Sequence, residues 1–326
     1  CSHSLRSLRS TIKLRIVFMG TSNLSETVLG ALIENEYNLV GVFTKPDQKI
    51  GRKQEVTEPL VKKMALEHKI PVFQPLKFNN EAVEDLKKLK PDLVIVAAYG
   101  KIIPKAALEI PGFGCINVHV SLLPKYRGPS PIQNALLAGE KETGVTIMLM
   151  DQGVDTGDIL AQKTAPIKPN DNTEVLMKKL AELGAKLLLE TIPLWIEGKI
   201  EKIEQDHSKA TNCQLIERED GKIYWIDTAE DIYNRYRALT PWPGVFTYWK
   251  NDSSIIRLKL VSIEIQKINP IEKHVEGEVF EIGESIGVQT AEGIIILKEI
   301  QKEGKKSTDI KAFLNGHKNF IGSVLQ

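Results

Sequence analysis

The amino-acid sequence predicts an α/β fold followed by a smaller all-β domain. Through roughly the first two hundred residues, short apolar runs alternate with segments whose apolar residues recur at helical spacing. The runs at residues 14–19, 39–44 and 93–98 contain few polar residues on either face, which is typical of strands buried in a parallel sheet. After about residue 220, short strand-like stretches bounded by turn residues replace this alternation.

The elements of the first half follow one another in strand–helix order. Thr57 is predicted to be the N-cap of the second helix, with Pro59 in its first turn. This order indicates a Rossmann-like, mostly parallel sheet with helices on both faces. Strands are predicted at residues 14–19, 39–44, 93–98, 115–120 and 145–150, and helices at residues 25–35, 57–68, 83–89, 130–138 and 173–196.

The second half has the pattern of a small barrel. Short strands separated by Gly, Glu and Asn are typical of a compact β-barrel, here predicted to be OB-like. The strands are predicted at residues 256–260, 277–282, 286–290 and 293–300. The predicted domains are a first domain at 12–198, a linker at 199–219 and the OB-like barrel at 220–326, and residues 1–11 are interpreted as a tail outside the fold.

Composition narrows the class of protein. The formal net charge of +1 over 326 residues gives no general argument for a nucleic-acid partner. The three cysteines are far apart, which indicates reduced thiols rather than a disulfide framework. No window reaches the roughly 18–20 apolar residues of a membrane span. We therefore expect a cytoplasmic protein without a membrane partner, and nothing in the sequence requires a second chain, so a monomer is expected.

Two polar side chains interrupt an apolar strand. Asn117 and His119 are two residues apart, so they point to the same face of the predicted strand. Burying an amide and an imidazole carries a desolvation cost that a functional site would explain. A core histidine with its hydrogen bonds satisfied explains it equally well.

An acidic, glycine-containing loop follows a second predicted strand. Residues 151–158 contain three aspartates, of which Asp155 is the middle one. Ligands of parallel α/β sheets bind beyond the carboxyl ends of the strands, where this loop and His119 are both expected. Asn117, His119 and Asp155 are thus predicted to converge. An ordinary turn rich in Asp and Gly is the alternative.

This trio suits direct acyl transfer. An amide N–H can stabilise a developing oxyanion, an imidazole can donate to it or handle a proton, and a carboxylate can orient the imidazole. No strong nucleophile with an activating motif is evident, and His119 has no neighbouring ligands at metal-binding spacing. We expect no metal site.

The segments that contain this trio resemble those of a known enzyme family. Residues 117–128 and 144–158 together resemble the two-part signature of the 10-formyltetrahydrofolate-dependent formyltransferases. The resemblance extends over about residues 14–325 and is greatest to the branch that formylates an aminoacylated initiator tRNA, methionyl-tRNA. It implies that Asn117, His119 and Asp155 are catalytic and that 10-formyltetrahydrofolate is the co-substrate. It also implies folate-binding roles for Ser121, Leu122, Leu123 and Pro124 and, in the pterin-lining loop, for Tyr99, Gly100 and Ile102.

The resemblance also implies a tRNA-binding loop. Residues 45–53 carry four basic residues and one acid, a net charge of +3, and Lys49, Arg52 and Lys53 match the family's loop. Clustered basic residues make salt-dependent phosphate contacts, although a solvated loop is the alternative. The second domain departs from the family, because residues 208–326 contain 16 basic and 17 acidic residues where a basic domain is usual.

Three other functions remain open from the sequence. The same chemistry could formylate a small amine, such as glycinamide ribonucleotide or an amino-sugar nucleotide. With water in place of the amine, the protein would be a formyltetrahydrofolate hydrolase. A non-catalytic RNA-binding protein could also retain the fold.

Overall fold

The computed structural model describes residues 14–50, 55–251, 254–266 and 274–326. Contacts between Cα atoms divide the chain into two compact units. The first unit contains the chain up to Pro131, Glu142–Pro166 and Met177–Gln214, and the second unit contains Ile132–Lys141, Ile167–Leu176 and Leu215–Gln326. No helix among the described residues has the length and apolarity needed to cross a membrane.

The first unit is built on a sheet of seven strands, with a separate hairpin of two strands. The strands of the sheet are β1 (Ile16–Gly20), β2 (Leu39–Phe43), β5 (Val72–Phe73), β6 (Leu93–Ala97), β7 (Cys115–His119), β8 (Glu142–Leu149) and β9 (Ile159–Pro166), and those of the hairpin are β3 (Gln48–Ile50) and β4 (Glu55–Thr57). The order in the sheet is β5-β2-β1-β6-β7-β8-β9. The helices through residue 196 are α1 (Asn23–Glu34), α2 (Leu60–Glu67), α3 (Asn80–Leu89), α4 (Lys105–Leu108), α5 (Pro131–Leu137) and α6 (Thr173–Ile196).

Helices cover both faces of this sheet. On one face, Leu86 of α3 and Ala107 of α4 share a buried cluster with Val94 of β6 and Cys115 of β7. On the other face, Gly184 of α6 lies against Val118 and Val145. Every residue of β1 and β6 is buried, as expected for strands covered on both faces. The predicted Rossmann-like, mostly parallel sheet is confirmed.

The direction of two strands differs from the prediction. β1, β2, β5, β6 and β7 are parallel, but β8 runs antiparallel to β7 and β9 antiparallel to β8. The strand that precedes the acidic loop was predicted to belong to the parallel set, and this prediction is wrong. A buried apolar strand does not reveal its direction, because the same residues pack well in either orientation.

The prediction for the second helix is wrong at its start. Glu55–Thr57 form β4, which pairs with β3 as a hairpin, so Thr57 is not an N-cap. The helix begins at Leu60 after Pro59, whose carbonyl accepts hydrogen bonds from Lys62 N and Lys63 N. In α3, by contrast, Asn79 Oδ1 accepts a hydrogen bond from Ala82 N at 3.2 Å, which places the helix start three residues before the predicted one.

The second unit contains an antiparallel sheet of six strands. Its strands are β10 (Val245–Asn251), β11 (Ser254–Gln266), β12 (Val279–Ile282), β13 (Ser285–Gln289), β14 (Ile294–Lys302) and β15 (Thr308–Asp309). Five strands follow the order β10-β11-β14-β13-β12, and β15 pairs with β14. The sheet forms the predicted OB-like half-barrel. The α-helices of this part of the chain are α7 (Ala229–Leu239) and α8 (Ile310–Asn315).

Helix α7 was absent from the sequence prediction, and its buried face combines apolar and polar residues. Asn234 and Arg237 are both buried, and Arg237 donates to Asn234 Oδ1 and to the backbone oxygen of Asp171. These hydrogen bonds offset the desolvation of the guanidinium group. Apolar residues nevertheless recur at helical spacing on the same face, as at Ile232 and Leu239, so the sequence carries a signal for α7 that the prediction missed.

The segment predicted to be a linker contributes to the first unit as far as Gln214. Ile203 forms an isolated bridge with Ile159 of β9, and Asn212 forms another with Arg127. The domain boundaries at residues 198 and 219 stay a prediction.

We expect Leu86→Ala to lower the free energy of unfolding by about 2–5 kcal/mol, since the change leaves a cavity in the buried cluster between α3 and the sheet. Urea unfolding followed by circular dichroism measures this. Leu66→Ala is the matched control on α2, where the side chain is 53% exposed, and it should cost less than about 1 kcal/mol. Equal losses in the two variants would contradict this account of the core.

Candidate active site

Asn117 and His119 lie on one face of β7. Ile116 and Val118 alternate with them and are buried against the opposite helix layer. The His119 side chain is 6% exposed, and Asn117 is half-buried. The strand periodicity therefore holds, with both polar side chains directed away from α6.

Asp155 reaches this face by an unexpected route. Because β8 is antiparallel to β7, the loop that follows β8 starts beside the amino-terminal end of β7, where Met150 N donates to Cys115 O at 2.8 Å. The expected convergence of two parallel carboxyl ends is wrong for this loop. The chain instead turns back along the face of β7 until Asp155 lies near Asn117 and His119.

Glycine permits that return. A Cβ at Gly157 would collide with the backbone oxygen of Leu149, whose N–H donates to Asp158 O at 2.8 Å. Asp155 itself adopts a left-handed conformation with φ of +52°. This conformation is costly for a residue with a side chain, so surrounding contacts must maintain it.

The three side chains form a connected group. Asn117 Nδ2 donates to Asp155 Oδ1 at 3.3 Å, and Asp155 Oδ2 lies 3.6 Å from His119 Nδ1. The second distance fits an ion pair rather than a hydrogen bond. Gly128 N donates a hydrogen bond to Asp155 Oδ2 at 2.8 Å. This is the shortest of the three contacts that the carboxylate makes with Asn117, His119 and Gly128.

The other nitrogen of His119 faces a carbonyl group. His119 Nε2 lies 3.0 Å from Tyr126 O, and a carbonyl oxygen only accepts, so this nitrogen carries a proton. The imidazole thus lies between a carbonyl and a carboxylate. Such surroundings fix the ring plane and suit an imidazole that moves a proton.

The turn after β7 is held by its own hydrogen bonds. Ser121 is buried, and its hydroxyl donates to Lys125 O at 2.7 Å. Leu123 is also buried, and its N–H donates to Thr146 Oγ1 at 3.1 Å. Leu122 and Pro124 are partly exposed. Of the four residues predicted to bind folate here, Leu122 and Pro124 therefore have accessible side chains, whereas Ser121 and Leu123 are buried in the turn, and the folate-binding role stays a prediction.

The segment after β6 divides in the same way. β6 pairs with β7, with Val96 opposite Asn117, so residues 99–102 follow the strand next to the trio. Tyr99 is buried against Phe78 at a ring distance of 6.2 Å, and burial raises the pKa of its hydroxyl. Gly100 is exposed with φ of +72°, and Ile102 is 88% exposed.

The residues predicted to bind tRNA are only partly described. Lys49 lies in β3, whereas Arg52 and Lys53 lie outside the described residues. Asp47, which precedes β3, forms an ion pair with Lys62 at 2.6 Å and accepts from Gln74 Nε2 at 2.8 Å. The hydrogen bonds from Gln74 and Lys62 lower the pKa of Asp47, so this carboxylate stays charged and ties the hairpin base to α2.

A polar network behind the trio was not predicted from sequence. Gln205 is 3% exposed, and its side chain accepts hydrogen bonds from Arg127 Nε and Nη2 at 3.1 and 2.7 Å. Its segment was interpreted as a linker because it is polar and weakly periodic, and a single glutamine among charged residues forms no pattern. What distinguishes Gln205 from its neighbours is its burial, which only the folded structure shows.

Thiol nucleophiles are not available in the described part of the site. Cys115 and Cys213 are both buried, and burial raises the pKa of Cys115 to about 12 and also raises that of Cys213. Neither is a thiolate near neutral pH. Among the described residues, no group of three His, Cys, Asp or Glu side chains could hold a metal ion. The arrangement can stabilise an oxyanion and move a proton, which suits acyl transfer without a covalent enzyme intermediate.

Comparison with known families matches both units. The family described as formyl transferase matches residues 14–192, and the family described as formyl transferase, C-terminal domain, matches residues 215–318. A methionyl-tRNA formyltransferase of Caldicellulosiruptor saccharolyticus is 46% identical over 314 residues, covering 95% of this chain and 99% of that protein. One from Halalkalibacterium halodurans is 44% identical, covering 96% and 98%.

Solved structures share the fold at lower identity. The N-formyltransferase of Helicobacter canadensis, crystallised with folinic acid and dTDP-3-aminofucose, has a TM-score of 0.63 and 23% identity, covering 90% of this chain and all of that chain. The sugar 3N-formyl transferase WlaRD has a TM-score of 0.62 and 21% identity, covering 91% of this chain and all of that chain.

We expect Gly128→Ala to lower the free energy of unfolding by about 3 kcal/mol or more, because φ is +113° and a Cβ would lie 2.5 Å from Cys213 O. Gly198→Ala is the matched control, with φ of +64° and no atom within 4 Å of the added Cβ. Its cost should be the backbone cost alone, about 1–2 kcal/mol. Urea unfolding of both variants measures the difference, and identical values would show that Cys213 does not confine Gly128.

Proposed function

The chain belongs to the formyl transferase family, and from this premise we infer that it transfers the formyl group of 10-formyltetrahydrofolate to the free amino group of methionyl-tRNA. The observation that carries this inference is the match of both family regions together with relatives of that activity at 40–46% identity over nearly the whole chain. The function is enzymatic and supports the initiation of translation.

The trio supplies the chemistry of the transfer. The amine attacks the formyl carbon, a C–N bond forms, and the carbonyl oxygen becomes an oxyanion. Asn117 Nδ2 has two N–H groups, one of which donates to Asp155 Oδ1, so the other is available for the oxyanion. As the bond to N10 of the folate breaks, the proton lost by the amine is balanced by the proton gained at N10.

His119 and Asp155 manage that proton. The proton on His119 Nε2 is held by Tyr126 O, and Asp155 Oδ2 stabilises positive charge at Nδ1 from 3.6 Å. The Nε2 atom of His119 faces Tyr126 O, and its Nδ1 atom faces Asp155. We therefore propose that the contact between His119 and Tyr126 O is replaced by a contact with the reacting groups when substrates bind. Asp155 keeps the imidazole oriented during that exchange.

We propose that the two substrates meet the first unit at separate features. The partly exposed Leu122, Pro124 and Ile102 supply apolar contacts for the folate. The basic loop with Lys49, Arg52 and Lys53 supplies phosphate contacts for the tRNA. Because an aminoacylated tRNA is a substrate of translation, we propose that the protein acts in the cytoplasm, and that it acts there as a monomer.

One assay tests the function against its rivals. Incubating the protein with formyl-labelled 10-formyltetrahydrofolate and methionyl-tRNA should yield formylmethionyl-tRNA as the main product. Parallel incubations contain glycinamide ribonucleotide, an amino-sugar nucleotide, or no amine. Free formate or a formylated small amine as the dominant product would overturn the proposal in favour of a hydrolase or a small-amine formyltransferase.

We expect Asn117→Ala to lower kcat about 10²–10³-fold with little change in KM, since an oxyanion donor acts in the transition state. His119→Ala should abolish detectable turnover while folate binding, measured by calorimetry, persists. Asn80→Ala, at the exposed start of α3, is the control and should keep wild-type rates. Full turnover of either site variant would remove that residue from the mechanism.

We expect the double variant Arg52→Ala and Lys53→Ala to raise KM for methionyl-tRNA and to flatten its dependence on salt concentration. Each lost phosphate contact should reduce the logarithmic salt slope by about one or less. The control is Lys87→Ala with Lys88→Ala on α3, which removes the same charge from exposed side chains elsewhere. If both double variants have the same KM and salt slope as the wild type, the loop is an ordinary solvated loop.

A further inference from the structure

Gln205 uses every hydrogen-bonding position of its side-chain amide. Its Oε1 accepts from Arg127 Nε and Nη2 at 3.1 and 2.7 Å. Its Nε2 donates to Asp155 O at 3.0 Å and to Gly157 O at 2.7 Å. Arginine only donates and backbone carbonyls only accept, so the orientation of the amide follows from its partners.

These contacts close a ring of hydrogen bonds around Asp155. The residue after Arg127 is Gly128, whose N–H donates to the Asp155 carboxylate at 2.8 Å. Gln205 binds the Arg127 side chain on one side and the Asp155 backbone carbonyl on the other. Asp155 is therefore held at its carboxylate by one arm of the ring and at its main chain by the other.

The anchor of the ring is itself fixed. Arg127 N donates to Thr211 O, and Cys213 N donates to Arg127 O, both at 2.8 Å, so both backbone groups of Arg127, the residue before Gly128, are held. Arg127 is 7% exposed, and its Nη2 also lies 3.1 Å from His207 Nδ1, which must accept. A buried cation with three directed hydrogen bonds gives the ring a fixed reference point.

Asp155 needs such a tie. Its φ of +52° is unfavourable for a residue other than glycine, and the four preceding residues of the loop are exposed. Val154, the immediate neighbour, is 67% exposed. Little apolar packing therefore opposes relaxation of the loop, so hydrogen bonds hold it. Within the loop, Asp151 Oδ1 accepts from Gly153 N and Thr156 Oγ1. The bonds from Gln205 to the carbonyls of Asp155 and Gly157 are the ones that tie the loop to the Arg127 side chain.

We propose that Gln205 is a positioning residue for formyl transfer: it holds the backbone of Asp155 so that the carboxylate meets both Asn117 and His119. The inference rests on the proposed function for its kinetic consequence, whereas its structural part stands on the ring alone. Gln205 does not touch the trio through its side chain except at the Asp155 carbonyl, so it acts through Asp155.

Two variants separate the arms of the ring. Gln205→Glu keeps an acceptor for Arg127 but turns an acceptor toward the two loop carbonyls, which releases the loop arm and preserves the arginine arm. Gln205→Met has similar length and no charge, and it removes both arms. Trp195→Phe is the matched control, since it deletes another side-chain N–H bond to a backbone carbonyl in the first unit, the 2.9 Å bond to Phe113 O.

We expect both Gln205 variants to lower kcat for methionyl-tRNA formylation about 10- to 100-fold, because displacement of a catalytic group by about 1 Å has effects of that size. KM for each substrate should change less than about threefold, since binding groups stay in place. Trp195→Phe should retain wild-type kcat even where its melting temperature falls. A wild-type kcat in Gln205→Glu, or a loss confined to KM, would overturn the proposal.

A double-mutant cycle identifies the route of the effect. In an Asp155→Asn background, Gln205→Met should lower kcat less than about threefold further, because a residue that acts through Asp155 loses its influence when that carboxylate is gone. Independent losses that multiply would mean that Gln205 acts elsewhere, and the proposal would fall.

A crystal structure of Gln205→Glu without substrate tests the ring independently of activity. The distance between Asp155 Oδ2 and His119 Nδ1, 3.6 Å in the wild type, should increase by about 1 Å or more, or the loop should lose its defined position. An unmoved Asp155 would overturn the positioning role. If the wild type fails to formylate methionyl-tRNA, the proposed function fails, and this distance still decides the role of Gln205.

Discussion

The position of one carboxylate is the constraint on which the site depends. Asp155 belongs to a loop that begins beside the amino-terminal end of β7. The loop must therefore run back along the strand before Asp155 lies near Asn117 and His119. The loop achieves this through a glycine that lies against Leu149, a left-handed Asp155 and a hydrogen bond from Gly128. Each is a local cost or restriction that makes sense only as a condition for bringing the carboxylate to the imidazole.

The polar groups of β7 are stable in this setting because their partners are arranged in advance. Half-buried Asn117 and buried His119 would each carry a desolvation penalty alone. Asp155 accepts a hydrogen bond from Asn117, and Tyr126 O accepts one from His119. The ring through Arg127 and Gln205 keeps Asp155 in place. A preorganised set of dipoles of this kind stabilises charge in a transition state without further rearrangement.

The side chains of the turns around the trio fall into two groups, one buried and one accessible. Ser121, Leu123 and Tyr99 are buried and define the turns, whereas Leu122, Pro124 and Ile102 remain accessible at the surface. The family resemblance implies the same folate-binding role for all six residues. Burial distinguishes the side chains that shape these turns from those that a ligand could reach.

The sequence alone determined the fold class, the elements with strong apolar periodicity and the family, because these depend on local patterns and on residue identity. Residues 173–196 form α6 as predicted, and Asn117 and His119 share a face because side chains alternate along any strand. Tertiary structure decided the direction of β8, the polar face of α7 and the path by which Asp155 arrives. It also revealed Gln205, whose role comes from burial and from hydrogen bonds to residues 48 to 78 positions away. Pairing across such distances leaves no periodic trace, since it depends on which carbonyl and guanidinium groups the folded chain places within reach.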